Sequence, residues 1–270
     1  MGKLSEVQKF QAGKLKLEVY RSREAAGAAA ALAAAEALRQ LGRGSGSIGV
    51  IFATGASQLS MLKALTEIPG LPWEGIRGFH MDEYVGLPAD HPASFRRYLR
   101  ENLTRRVSMQ EFSEVDGTAS DPVRACTEYE VKLRSANPQL CLLGIGENGH
   151  LAFNDPGNAD FNDPMGMKVV RLDDVCRQQQ VAEGWFEGLQ NVPGQAMTLT
   201  VPTLFRVPKL IASVVGPRKA KILRRTLDEP ISTACPATIL RTHPDATVYL
   251  DEEAAAELDE SSMSIHSAAK

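Results

Sequence analysis

Three stretches of this chain place side chains capable of chemistry directly after an apolar run and beside a glycine. The first is Gly144-Ile145-Gly146-Glu147-Asn148-Gly149-His150-Leu151-Ala152-Phe153-Asn154-Asp155-Pro156, which follows the apolar Leu140-Cys141-Leu142-Leu143. Its glycines permit a tight turn and a close approach to a ligand. His150 can give and take a proton near neutral pH. Asn148 and Asp155, on either side of it, are candidates to orient its ring. The second is Met81-Asp82-Glu83-Tyr84-Val85-Gly86-Leu87-Pro88, after Ile76-Arg77-Gly78-Phe79-His80. An acid directly after a strand is held rigidly with one side open, as a general base must be. In extended chain Asp82 and Glu83 point opposite ways, so both cannot serve one reacting atom. The third runs from Ile48-Gly49-Val50-Ile51-Phe52-Ala53 into Thr54-Gly55-Ala56-Ser57 and an amphipathic segment from Gln58 to Leu65. Strand, glycine turn and helix start together form an anion site, through free backbone N–H groups and the helix dipole.

Each stretch also has a plainer reading. A glycine-rich turn can be only a loop, a lone histidine is more often structural than catalytic, and Asp82 could be a solvated loop acid. Lys219 comes just after Val214-Val215-Gly216-Pro217-Arg218, at the start of a predicted helix. Helical lysines usually face water, but a helix start favours an anion. Arg218 and Lys221 read as solvent-facing, Glu83 as structural and His80 as a packed residue. His91 and His243 each precede a proline, which suggests turns. No cluster of His, Cys and acid has the spacing of a metal site, and none is assigned.

Taken together, the three stretches resemble glucosamine-6-phosphate deaminases, within the fold group shared with 6-phosphogluconolactonases. The resemblance runs from about Val19 to Leu258 and includes Val214 to Ala220. The Met81-to-Pro88 run and the phrase Leu151-Ala152-Phe153-Asn154 favour the deaminase branch. The resemblance implies a modified Rossmann-like, mostly parallel sheet. It also implies a sugar phosphate as the small-molecule partner and no cofactor. Asp82 would take the C2 proton, and His150, oriented by Asp155 and Asn148, would open the sugar ring. Thr54, Gly55, Ala56, Ser57 and Lys219 would hold the phosphate.

The chain departs from that pattern in places. The best-known deaminases carry an acid at the position of Asn148 and a glutamate at that of Asp155. The arginine that the family directs at the phosphate aligns with Ala182, which leaves Arg177 as a substitute. From Gly157 to Pro164, the enteric branch has basic and hydroxyl residues for an allosteric sugar phosphate. Here the stretch holds Asp160, Asp163 and no base. Two other readings therefore stay open: a 6-phosphogluconolactonase-like esterase, and a non-catalytic sugar-phosphate-binding protein.

The elements that must position these residues alternate. Helices are expected over Ser22–Leu41, Gln58–Thr66, Ser94–Leu103, Pro122–Ser135, Val175–Glu183 and Pro217–Leu227. Strands are expected over Ile48–Ala53, Ile76–His80, Leu140–Ile145, Lys168–Leu172, Ala196–Val201, Lys209–Val215 and Ala246–Leu250. Such alternation gives an α/β fold, a mostly parallel sheet with helices on both faces. At 270 residues, 43% hydrophobic and 23% charged, the chain suits one domain with a sizeable core, ending in a small polar tail from Glu260 to Lys270 that is expected to fray. A net charge of −3 with no basic aromatic-laced cluster gives no support for nucleic-acid binding. The N-terminus is polar, and no apolar run reaches membrane-spanning length. The four cysteines read as reduced thiols of a cytosolic protein. A homo-oligomer is compatible with the sequence, which does not decide the point.

Overall fold

The computed structural model describes residues 7–44, 46–182 and 184–258. The expected polar N-terminus, the frayed tail from Glu260 and Glu183 at the end of one predicted helix lie outside them. In chain order the elements are β1 (Gln8–Ala12), β2 (Leu15–Tyr20), α1 (Arg23–Leu41), β3 (Ile48–Phe52), α2 (Leu59–Glu67) and β4 (Ile76–His80). Next come β5 (Asp82–Tyr84), α3 (Phe95–Leu99), β6 (Glu111–Ser113), α4 (Pro122–Ala136), β7 (Leu140–Leu143) and β8 (Met167–Arg171). The chain closes with α5 (Asp174–Ala182), β9 (Gln195–Leu199), α6 (Val201–Phe205), β10 (Lys209–Val214), α7 (Ala220–Asp228) and β11 (Ala246–Asp251).

Eight strands form one sheet in the order β1-β2-β11-β10-β7-β3-β4-β6. All neighbours are parallel except β1 and β2, which form a hairpin at one edge. The central strands show why. In β3 every residue of Ile48-Gly49-Val50-Ile51-Phe52 is buried, as expected when helices cover both faces of a sheet. Ile48, Val50 and Phe52 pack with α1 and α2 on one side, while Ile51 joins the α4 and α7 side. On the first side α1 presents Ala30, Ala31, Ala34, Ala35 and Leu38, all buried. The Ala-rich segment is therefore a packed helix. No helix among the described residues is long and apolar enough to cross a membrane.

Two expected strands do not join the main sheet. Lys168–Leu172 and Ala196–Val201 appear as β8 and β9, which pair antiparallel with each other. With β5 against β9, they form a separate three-stranded sheet. Its role is positional, because β5 begins with Asp82 and hangs that residue from β9 opposite Thr198.

Parallel strands bring their carboxyl ends to one edge of the sheet, where ligands of open α/β folds bind. Here β3, β7 and β10 are adjacent and each runs into a glycine-containing loop. The loops after β3 and β10 are twins. Gly55 (φ +102°, ψ 165°) and Gly216 (φ +92°, ψ 157°) each precede one turn of 3₁₀ helix that leads into a nine-residue α-helix. Such φ values are strained for any residue with a Cβ, which explains a glycine at both places.

Candidate active site

These loops enclose a cavity of about 390 Å³, a volume suited to a small ligand. Asp82, His150, Lys219 and the turn Thr54–Ser57 all line it. Residues separated by almost 170 positions in the chain thus share one space.

The Asp82 side chain is buried, and among the described residues nothing donates to its Oδ1. Burial pushes its carboxyl well above the usual carboxylate range, and the neighbouring Glu83 charge adds to the rise. Glu83 points the other way, as strand alternation requires. It is fully buried and accepts from the Ser94 hydroxyl (2.8 Å), the Phe95 amide (3.3 Å) and the Arg96 amide (3.0 Å). It caps the start of α3 and holds the second carboxylate off the cavity. His80 is equally structural: its Nε2 accepts from the Val115 amide at 2.6 Å, and burial pushes its pKa down to about 3. His243 accepts from the Asp245 amide at 3.1 Å and His91 from the Ala93 amide at 3.1 Å.

The loop after β7 closes on itself. The Gly146 amide donates to the His150 carbonyl (3.0 Å), and the Gly149 amide donates to the Gly146 carbonyl (3.0 Å). The imidazole folds back over Gly146, where a Cβ would stand only 2.1 Å from Nε2. Glycine at 146 is thus a condition for the position of the ring. Nδ1 of His150 lies 2.9 Å from Oδ1 of Asp155, a carboxylate almost wholly buried. Burial alone would raise the Asp155 carboxyl. The opposing influence of His150, with the Asn148 amide and the Cys176 thiol, holds it below the usual range instead.

Asn148 does not bear on the imidazole directly. Its Nδ2 donates to Oδ1 of Asp155 at 2.8 Å, and its Oδ1 accepts the His150 backbone N–H at 3.0 Å. One amide therefore fixes both the carboxylate and the backbone that carry the pair. Downstream, the buried Asn154 donates to the carbonyls of Leu151 (2.7 Å) and Leu199 (2.8 Å), tying the loop to β9. His150, Asp155 and Cys176 bring three potential metal-ligating atoms within 4.8 Å of one another. Burial, with Asp155 and Asp173 nearby, pushes the Cys176 thiol far up.

Also lining the cavity, the Lys219 ammonium donates to the Ile145 carbonyl of the β7 loop at 2.8 Å. Arg177 sits elsewhere. Its guanidinium bonds Asp174 (3.0 Å) and the Leu189 carbonyl (2.7 Å) and does not line the cavity, so it offers no substitute phosphate ligand. Ala182 does line it, with only a methyl group. Arg218 is exposed, as expected, and from the rim it reaches Glu147 (3.8 Å) and the Ala182 carbonyl (3.2 Å). Arg23, Gln179 and Trp185 also line the cavity, and no local motif marks them.

The geometry has a counterpart among known proteins. Residues 21–249 match the family model described as glucosamine-6-phosphate isomerases/6-phosphogluconolactonase. The chain belongs to that family.

Within the glucosamine-6-phosphate isomerase/6-phosphogluconolactonase family, its curated relatives include glucosamine-6-phosphate deaminases. The glucosamine-6-phosphate deaminase of Exiguobacterium sibiricum is 38% identical over 183 residues, 67% of this chain and 70% of that protein. That of Pseudarthrobacter chlorophenolicus is 33% identical over 230 residues, 83% of this chain and 87% of the relative. Among solved structures, a monomeric glucosamine-6-phosphate deaminase superposes with a TM-score of 0.82 at 28% identity, covering 89% of this chain and 99% of that one. A 6-phosphogluconolactonase of Thermotoga maritima reaches a TM-score of 0.72 at 22% identity, over 88% and 100% of the two chains, and that match speaks for the fold alone. The mostly parallel sheet covered by helices is the fold of this family.

Proposed function

We propose that the protein is an enzyme that converts D-glucosamine 6-phosphate and water to D-fructose 6-phosphate and ammonium. One observation carries the reading. Asp82 is a buried carboxylate whose Oδ1 has no partner among the described residues; it faces the same cavity as the oriented His150–Asp155 pair, and a lysine and a helix-start anion turn lie in the same space. Curated deaminases related over most of the chain support it.

The phosphate rests between Lys219 and the Thr54–Ser57 turn, which fixes the sugar with C2 toward Asp82. His150 takes the proton of the C1 hydroxyl and returns one to the ring oxygen, which opens the pyranose. Asp155 holds the ring and Asn148 holds Asp155. Asp82 then removes the C2 proton while the carbonyl oxygen gains one, giving an enolamine. Redelivery of a proton to C1 leaves an imine at C2. Water adds there and ammonia departs, so the two carbon-bound proton transfers cancel and no redox partner is needed. The elevated Asp82 pKa suits this task, because a base must release its proton to C1 as readily as it takes one from C2.

A lactonase needs no base at C2 and would leave Asp82 without a task. Release of ammonium from glucosamine 6-phosphate therefore tests the reading. Turnover with stoichiometric ammonium supports it, and hydrolysis of a 6-phosphorylated lactone without ammonium release contradicts it. Cys126, Cys141, Cys176 and Cys235 are all buried free thiols, which supports a reducing cytoplasmic setting.

A further inference from the structure

We propose that Arg23 is the second cation of the anion pole, closing on the ligand's phosphate beside Lys219. The proposal rests on the sugar-phosphate reading above and assigns to it a residue that no local motif reveals.

The placement follows from topology. Strand β2 pairs with β11, and β11 with β10, so the connection leaving β2 starts α1 beside the end of β10. Ser22 caps that helix, its hydroxyl accepting the Ala25 amide at 3.2 Å, and Arg23 is the first helical residue. The guanidinium lies on Gly216, where a Cβ would stand 2.9 Å from Nη2. From there it lines the cavity with Lys219 and the Thr54–Ser57 turn.

The state of its donors decides the argument. Among the described residues, no carboxylate oxygen comes within 4 Å of the Arg23 guanidinium and no acceptor takes a hydrogen bond from it. The other arginine lining the cavity, Arg218, is committed to Glu147 and the Ala182 carbonyl. An arginine presents its N–H groups as a planar fork that matches two oxygens of a phosphate. Arg23 is the cavity-lining guanidinium with that fork available. Ala182 lines the cavity with only a methyl and adds no cation to the pole, whereas α1 brings Arg23 to it. The side chain is exposed, and its attraction for an anion must therefore weaken with salt.

Calorimetry with glucitol 6-phosphate, a phosphorylated polyol that the proposed reaction cannot turn over, tests this on the full chain. Arg23→Ala is expected to raise Kd roughly tenfold, the scale of a partly screened charge-assisted hydrogen bond, and Arg23→Gln to do the same. Binding of unphosphorylated glucitol should not change. In turnover, KM for the sugar phosphate should rise while kcat stays near the wild-type value. Arg23→Gln keeps much of the side chain's volume and guards against loss of folding in the alanine variant. Wild-type affinity in both Arg23 variants, alongside weakened binding in Lys219→Ala, would overturn the proposal and leave the sugar-phosphate reading standing. Equal weakening toward glucitol and its phosphate would make Arg23 a wall of the cavity and equally overturn it. Failure of the wild type to bind either glucitol 6-phosphate or inorganic phosphate would remove the underlying reading, and the proposal with it.

Discussion

The His150 ring is held between a carboxylate and a glycine: Nδ1 lies 2.9 Å from Asp155, and Gly146 has no side chain to dispute the space the ring occupies. The two contacts fix one orientation, with Nε2 turned toward Gly146 of the β7 loop. Gly146→Ala forces the ring aside by an ångström or more and should lower kcat for sugar turnover roughly 100-fold, the scale of such a misplacement. The melting temperature should change little by comparison, because the loop is at the rim of the core. Steady-state kinetics with wild-type rates in the alanine variant would show that the position of the ring is not needed.

Asp82 carries the pH dependence. Its folded-state pKa is raised, first by burial and then by Glu83. As a base it works only when ionised, so activity must fall on the acid side at a pH above the ordinary aspartate value of about 3.9. The stability sign follows. A raised acid pKa costs the folded state nothing below the unfolded pKa, and the cost grows as pH rises through the folded value. Asp82→Asn should therefore match wild-type stability in acid and exceed it near neutral pH. Thermal melts at a series of pH values check this, and a variant less stable at neutral pH would contradict the burial argument.

The anion pole has a direct readout. Lys219→Ala should weaken binding of a phosphorylated sugar by about 1.5–3 kcal/mol, the range for a hydrogen bond to a charged group. The unphosphorylated amino sugar should bind both proteins equally poorly. Titration calorimetry with an unchanged affinity for the phosphorylated ligand would remove Lys219 from the site.

How much of this can be read from the sequence depends on distance along the chain. Asp82, His150 and the two glycine turns are legible because strand, turn and acid or base fall within a dozen residues. The partner of Asn148 is not, since an amide two residues from a histidine could meet the ring or its carboxylate, and only the loop closure through Gly146 decides. Arg177 aligns with a plausible role but is drawn to the carbonyls of Leu189 and Val192. Arg23 reaches the cavity only through pairing of β2 with β11, more than 220 residues apart. Strand β1 is exposed over most of its length, so it lacks the apolar signal that marks the central strands. The separate β5-β9-β8 sheet is hidden for a related reason, because periodicity identifies a strand but not its neighbour.

Regulation is also constrained. The stretch from Gly157 to Pro164 carries Asp160 and Asp163 and no base. The base nearest to them in the fold, Lys168, is taken up by Asp163 at 2.7 Å and by the Asn158 carbonyl at 2.7 Å. We expect hyperbolic kinetics with no activation by N-acetylglucosamine 6-phosphate. A sigmoidal rate curve relieved by that compound would contradict this.

The central claim is that Asp82 moves the C2 proton, and exchange with solvent measures that step alone. In deuterium oxide the wild type should incorporate deuterium into the product at C1 and wash the C2 proton out of recovered substrate. Asp82→Asn should bind glucitol 6-phosphate with near wild-type affinity and show no exchange above background. Exchange at the wild-type rate in Asp82→Asn would contradict the account.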